Sequence, residues 1–308
     1  MGKLLQFQSA GRVIGHSTFG FGFKRDPGRH GQNGFYPGFH QHPMAKLTAG
    51  GLPSMTTNVR FAPPVWDQGQ TGSCTGHGKA GMDTITLAAH GKPLPAAEQP
   101  AFEYRLGRAV DRTDWNIPLQ DGGAYPNSLV RASSVWGVVI ETEGAGGRTA
   151  NSPDYATFLE AHVNDEPKAE EMIAASRRVI TGYNAIADND TNKWQQFKQA
   201  FAGGHAVGVA VDAGNADFQN YNENAGPLGF TGNEPDHWIF LIDYAAVGAL
   251  RAAGLYPATW PALPDATELV LGQNSWGKGL WTASGRFWAT RDFVERGCFN
   301  SLVANLGF

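Results

Sequence analysis

The chain has 308 residues, of which 42% are hydrophobic and 17% are charged, and its formal net charge is −4. That balance gives no electrostatic basis for binding nucleic acid or an anionic membrane, and no apolar run approaches the roughly 18–20 residues of a membrane span. The 9 Trp, 8 Tyr and 18 Phe residues exclude disorder as a description of the whole chain. We therefore expect a soluble, globular protein without nucleic-acid or membrane partners.

Residues 1–50 differ in composition from the rest, because six glycines between Gly20 and Gly38 are interspersed with phenylalanine and tyrosine. Glycine at this density favours an extended, turn-broken chain, whereas aromatic side chains avoid solvent. Two interpretations stay open: an N-terminal arm that lies on a surface, its own or a partner's, or a poorly ordered terminus. No apolar core of a secretory signal is visible, which predicts cytoplasmic synthesis.

From residue 52 onward, hydrophobic periodicity predicts helices first and strands later. The expected helices span 73–89, 102–110, 127–138, 168–178 and 194–201, and the expected strands span 206–211, 237–244, 268–274 and 286–290. Because the helices precede the strands rather than alternate with them, the order favours an α+β fold over βαβ winding.

The first predicted helix begins near Ser73, whose hydroxyl can cap it, and it contains Gly76, Gly78 and Gly81. Each glycine costs about 1 kcal/mol relative to alanine inside a helix. Close packing must recover that loss, so we expect this helix to be central and buried.

A glycine-rich turn from Gln68 to Gly72 delivers Cys74 to the first turn of the same helix. Backbone N–H groups and the helix dipole favour negative charge there, which increases the thiolate fraction that a sulfur nucleophile needs. The side-chain amide of Gln68 is placed to donate to a developing oxyanion. The other cysteine, Cys298, has no such context and is interpreted as structural. Two cysteines permit no disulfide framework, so reduced thiols are expected.

Two later segments offer the partners that a thiolate requires. His237 follows Asp236 at the head of an apolar strand, and Asn274 ends another strand just before Trp276. An asparagine oxygen can accept from the imidazole and fix its ring plane, and an indole can shield that hydrogen bond from water.

These segments together resemble the papain-like cysteine peptidases. Residues 52–69 are similar to the start of the mature domain in bacterial members, and the Gln68–Cys74 spacing matches the nucleophile motif. Residues 121–123 with 136–138 are similar to the Gly-Gly block at the substrate edge, and 206–221 to the strand and loop before the catalytic histidine. Asp236-His237 and residues 274–277 match the remaining two motifs. The similarity covers about residue 52 to the C-terminus.

The resemblance implies a two-lobed α+β fold within residues 51–308. A helical lobe of about residues 70–160 would face an antiparallel β lobe built from about 52–66 and 161–308, with a cleft between them. It also implies Cys74 as nucleophile, His237 as base, Asn274 as its orienting group, and Gln68 as oxyanion donor. Five residues are implied in substrate binding: Gly122, Gly123, Asp236, Trp238 and Trp276. Neither a metal nor a cofactor is implied.

The chain departs from the family pattern at several positions. Thr71 stands where a cysteine usually forms a disulfide, and Thr75 replaces the usual Trp after the nucleophile. Trp238 replaces a small residue, which predicts a reshaped pocket for the second residue before the scissile bond. The segment 245–267 is interpreted as an insertion that lengthens the spacing between His237 and Asn274.

The leading prediction is a thiol endopeptidase that cleaves polypeptides. The alternative is a papain-fold assembly protein, for example a virus or phage particle component, whose residues 1–50 bind neighbouring subunits. A third possibility passes the acyl group to an amine instead of water.

Overall fold

The computed structural model describes residues 12–14, 17–19, 51–94, 96–115, 120–143, 152–178, 180 and 182–305. Most of the predicted N-terminal arm lies outside these residues. Within it, β1 (Arg12–Ile14) and β2 (Ser17–Phe19) form a short antiparallel pair, although no strand period was visible in this segment.

Nine α-helices lie in the described part of the chain, together with one 3₁₀ turn at Asn58–Phe61. They are α1 (Cys74–Ala89), α2 (Pro100–Trp115), α3 (Pro126–Trp136), α4 (Tyr155–His162), α5 (Ala169–Ala175), α6 (Lys193–Ala202), α7 (Ala216–Gln219), α8 (Val247–Ala252) and α9 (Arg291–Gly297). No helix in the described ranges combines the length and the apolar character that crossing a bilayer would require.

The main sheet has six antiparallel strands in the order β3-β8-β4-β5-β6-β7. They are β3 (Gly182–Ile186), β4 (Val207–Val211), β5 (His237–Ala246), β6 (Glu268–Gln273), β7 (Arg286–Thr290) and β8 (Phe299–Asn305). The predicted order of helices first and strands later is therefore confirmed for the four strands named from sequence. The predicted insertion 245–267 includes the end of β5 and α8.

The continuous apolar run of β5 is explained by the burial of both faces of the strand. Trp238, Phe240 and Ile242 lie in the core between the sheet and α1. Ile239 and Leu241 belong to the core on the other face, together with residues of α6. The strand that begins with His237 is thus held rigidly from both sides.

Helix α1 is central, as its glycines predict. A Cβ added at Gly76 would lie 2.4 Å from the Pro100 carbonyl oxygen, and one at Gly81 would lie 2.3 Å from the Phe240 ring. The helix therefore packs directly against both α2 and β5, at separations that only glycine permits.

The prediction that the Ser73 hydroxyl caps α1 is wrong. Ser73 stands at the N-cap position, but its hydroxyl makes no capping hydrogen bond to the helix. That hydroxyl contacts Thr71 and His77 instead.

Candidate active site

The packing of α1 on β5 sets the level of Cys74 relative to His237. Gly78 faces Trp238 and Gly81 faces Phe240, so helix and strand run in the same direction. Cys74 precedes Gly78 by about one turn, or about 6 Å, on the same helix face. Since a strand advances about 3.3 Å per residue, Cys74 falls level with the head of β5, where His237 stands.

Cys74 begins α1 and is fully buried. No disulfide joins it to Cys298. Burial raises the pKa of the Cys298 thiol to about 12, which agrees with a structural role for that residue. Of the two thiols, only that of Cys74 stands at a helix N-terminus.

His237 is fully buried, and its Nε2 lies 2.7 Å from Asn274 Oδ1. The same oxygen accepts from the Ser275 N–H at 2.7 Å, so the amide is held in one orientation. Because Oδ1 is an acceptor only, Nε2 carries the proton of this bond. The ring nitrogen Nδ1 is then the one left to exchange protons with a nucleophile.

Burial lowers the pKa of His237 to about 4; the bond to Asn274 opposes this effect, and nearby His77 adds to it. An imidazolium at this position therefore needs a negative neighbour. The Trp276 ring centroid lies 4.8 Å from that of His237, and the indole is 1% exposed. The indole thus packs against the imidazole of the His237–Asn274 pair.

Gln68 is tied to the segment that carries Asn274. The Gln68 N–H donates to the Ser275 carbonyl at 2.9 Å, and the Ser275 hydroxyl donates to Gln68 Oε1 at 2.5 Å. Gln68 Nε2 donates one hydrogen to the Thr71 carbonyl at 2.7 Å. The side-chain oxygen and nitrogen of this amide are thus both oriented by neighbours.

The loop of Gly122 and Gly123 lies beside the nucleophile turn. Its neighbour Asp121 accepts from the Gly72 N–H at 2.9 Å and from the Tyr104 hydroxyl at 2.7 Å. Within the described part of the chain, the nearest atom to a Cβ added at Gly122 would be the Gln120 carbonyl oxygen at 3.8 Å, so no described atom crowds this position. The Gly123 N–H instead donates to the Tyr104 hydroxyl at 3.0 Å.

Two further sequence-predicted substrate contacts, Asp236 and Trp238, are also used internally. The Asp236 carboxylate accepts from the Ala213 and Gly214 N–H groups, which shapes the loop after β4. Trp238 is completely buried, and its ring occupies the space beside Gly78 and Gly208. The structure therefore places this indole in the core under α1, rather than along an open pocket.

Sequence reasoning missed three side chains that support this site: Ser275, His77 and Tyr155. His77 follows Cys74 by about one helical turn. Among the described residues, no group of three or more His, Cys, Asp or Glu side chains is arranged to hold a metal ion. In the sequence, these supporting contacts are indicated only by the hydroxyl residues beside the Gln68–Cys74 and Asn274 motifs.

No protein-family model matches this sequence, and no curated protein matches it. Solved structures do match. Xylellain, a cysteine protease from Xylella fastidiosa, has a TM-score of 0.58 at 20% identity, covering 84% of this chain and 88% of that one.

Two further structures agree. Digestive procathepsin L 3 of Tenebrio molitor larval midgut has a TM-score of 0.57 at 18% identity, covering 84% and 72% of the two chains. Bromelain from Ananas comosus, in complex with the E64 inhibitor, has a TM-score of 0.56 at 16% identity, covering 83% and 100%. The chain thus has the papain-like α+β fold, a helical lobe plus an antiparallel six-stranded sheet, and the predicted fold class is confirmed.

Proposed function

We propose that this papain-fold chain is a cysteine endopeptidase that hydrolyses polypeptides through an acyl-enzyme on Cys74. The observation that carries the proposal is the buried His237–Asn274 hydrogen bond of 2.7 Å at the strand head that lies level with Cys74. A helix N-terminus, an oriented imidazole and an oriented amide are the parts that thiol acyl transfer requires.

The reaction begins when the Cys74 thiolate attacks a peptide carbonyl carbon, forming a C–S bond and an oxyanion. The Gln68 amide and the Cys74 N–H donate to that oxyanion. His237 then gives its Nδ1 proton to the leaving amine as the C–N bond breaks. In the second half, His237 takes a proton from water, which attacks the thioester and releases the carboxylic acid and the thiol.

The pKa of His237 couples the protonation of its ring to the charge on Cys74. Because burial lowers the pKa of the ring to about 4, the imidazolium exists only while the thiolate is beside it. Once the acyl group neutralises the sulfur and the amine has left, the neutral imidazole is favoured. That is the form needed to activate water.

Extended substrate backbone is accommodated at Gly122, where no described atom would come nearer than 3.8 Å to an added Cβ. Trp238 is buried in the core under α1, so its ring sets no limit on the side chains that the cleft accepts. We therefore propose unfolded polypeptides as substrates, whose extended backbone can approach Gly122.

The proposal is tested with a library of unfolded peptides and mass-spectrometric readout of the cut sites. Cys74→Ala abolishes cleavage, whereas Cys298→Ala, which removes the other buried thiol, retains activity within about threefold. Cleavage that survives in Cys74→Ala refutes the proposal, as does a wild-type protein that cleaves nothing in the library.

The assembly alternative depends on residues 1–50, most of which lie outside the described residues. It stays a prediction, together with cytoplasmic synthesis and partner binding through the arm. Deleting residues 1–50 separates the two functions. Lost self-association without any proteolysis in the full chain supports assembly, and retained cleavage supports the peptidase.

A further inference from the structure

The loop between Gln68 and Cys74 is held by hydrogen bonds from hydroxyl groups. Thr71 Oγ1 donates to the Gln68 carbonyl at 2.8 Å, while Gln68 Nε2 donates to the Thr71 carbonyl at 2.7 Å. Thr71 and Gln68 are therefore tied in both directions. The loop also carries Ser73, whose Oγ lies 2.7 Å from Thr71 Oγ1.

The direction of each bond follows from the hydrogens available. Thr71 spends its single hydroxyl hydrogen on the Gln68 carbonyl, so Ser73 must donate to Thr71. Ser73 has then no hydrogen for His77, so His77 Nδ1 is the donor, lying 2.9 Å from the Ser73 carbonyl and 3.3 Å from its hydroxyl. His77 Nε2 is left to accept from the Tyr155 hydroxyl at 3.4 Å.

We name these four residues the loop brace: Thr71, Ser73, His77 and Tyr155. All of them are buried, with at most 2% exposure. His77 lies edge-on between the Trp66 and Tyr155 rings, with centroid distances of 6.0 and 5.9 Å. Burial lowers the pKa of His77 to about 4, although the hydrogen bond to the Ser73 backbone acts in the opposite direction. The ring is therefore neutral near pH 7 and keeps the tautomer that the hydrogen bonds require.

Ser73 gives the clearest indication of what the brace does. It occupies the N-cap position of α1, where a serine hydroxyl ordinarily binds the first-turn amides, yet it makes no such bond. Its hydroxyl points back into the loop instead. The hydrogen bond that would stabilise the helix end is used to fix the turn between the oxyanion donor and the nucleophile.

We propose that Thr71, Ser73 and His77 are positioning residues, which hold the Gln68 amide and the Cys74 N–H in the geometry that receives the oxyanion. The inference rests on the proposed peptidase function. Hydrogen bonds would then hold this turn in place of a disulfide, since Thr71 stands where family members usually have a cysteine. Only the chemical step depends on the oxyanion, so the brace acts on kcat and leaves ground-state binding unchanged.

The decisive test is a double-mutant cycle between Thr71→Val and Gln68→Ala. Alone, Thr71→Val lowers kcat about tenfold, as expected for one lost hydrogen bond felt in the transition state, with KM within about twofold. Gln68→Ala alone lowers kcat by about 10²–10³-fold. In the Gln68→Ala background, Thr71→Val lowers kcat by less than it does alone, because only the Cys74 N–H then depends on the brace. An equal loss in both backgrounds overturns the inference.

Two substitutions test His77: one keeps a hydrogen-bond donor at the Nδ1 position, and the other removes it. Asparagine places an amide nitrogen at the Nδ1 position, so His77→Asn retains kcat within about threefold, whereas His77→Leu loses about tenfold. Equal kcat values in these variants refute a positioning role. Thr231→Val is the matched control, because Thr231 Oγ1 is buried and makes no hydrogen bond to any described residue.

A readout independent of catalysis separates this inference from the proposed function. Thr71→Val and His77→Leu accelerate amide hydrogen exchange in residues 68–76, and Thr231→Val does not. If the wild-type protein cleaves no peptide, the function fails while this measurement still tests the brace. Unchanged exchange in both brace variants overturns it.

Discussion

Replacing Gly76 by alanine tests the packing that places the nucleophile. The added methyl carbon would lie 2.4 Å from the Pro100 carbonyl oxygen, 2.8 Å from Tyr104 Cβ and 3.0 Å from Tyr104 N. Ordinary contact requires about 3.5 Å, so α1 and α2 must separate by about 1 Å. Two of the three obstructing atoms are backbone and cannot rotate away.

Two effects of this substitution oppose each other. Alanine gains about 1 kcal/mol of helix propensity over glycine, while overpacking against fixed atoms costs about 3 kcal/mol. The net expectation is a loss of about 2 kcal/mol in the free energy of unfolding, or about 4–8 °C in Tm. Because Cys74 stands only two residues away, a displacement of about 1 Å also lowers kcat/KM by about 10²-fold.

Urea unfolding and peptide cleavage measure both consequences. Gly229→Ala is the control, since a Cβ there meets no described atom within 4 Å; it leaves stability equal or slightly higher. A Gly76→Ala protein as stable as the wild type would show that helix propensity, not contact with α2, decides the energetics of this helix.

Three further predictions concern single side chains. Asn274→Ala removes the acceptor of His237 Nε2 and lowers kcat at least about tenfold; steady-state kinetics at fixed pH checks it, and an unchanged kcat contradicts it. Burial lowers the pKa of His205 to about 4, so the unfolded chain binds a proton that the folded chain rejects, and stability falls as pH drops from about 6.5 to 4. His205→Asn reduces the slope of unfolding free energy against pH in that window by up to one proton, and an identical slope refutes the assignment. Lys79 pairs with three fully buried carboxylates at 2.6–3.0 Å, so Lys79→Met lowers the free energy of urea unfolding by about 3–5 kcal/mol. The control Arg296→Ala breaks an exposed pair and changes stability by under about 1 kcal/mol. Similar effects of the two substitutions would contradict the burial argument.

The features that sequence predicted best are those with a local physical signature. The glycines of α1 indicate a helix pressed against neighbours, and the apolar run after His237 indicates a strand buried on both faces. The spacing of Gln68 and Cys74 indicates a turn that leads into a helix. In each case, the residue types themselves carry the constraint.

The features that sequence missed depend on partners far along the chain. β3 and β8 pair with each other, and β8 also pairs with β4. Polar residues interrupt the apolar pattern of both strands, Asn184 in β3 and Asn300 and Ser301 in β8, so their pairing depends on tertiary contacts that the sequence does not show. Trp238 was assigned to the site because it follows His237, but alternation along β5 turns its ring towards α1. Ser73 was predicted to cap α1, and only its contacts with Thr71 and His77 show why it does not.

The most direct test of the account is the rate at which iodoacetamide alkylates Cys74 as a function of pH, followed by peptide mass spectrometry. Cys298, whose pKa burial raises to about 12, serves as the internal reference. The account predicts rapid labelling of Cys74 at pH 6 that His237→Asn slows by at least about tenfold, with Cys298 unlabelled in both proteins. Labelling of Cys74 that is slow at pH 6 and unaffected by His237→Asn would show that the sulfur and the imidazole do not act together.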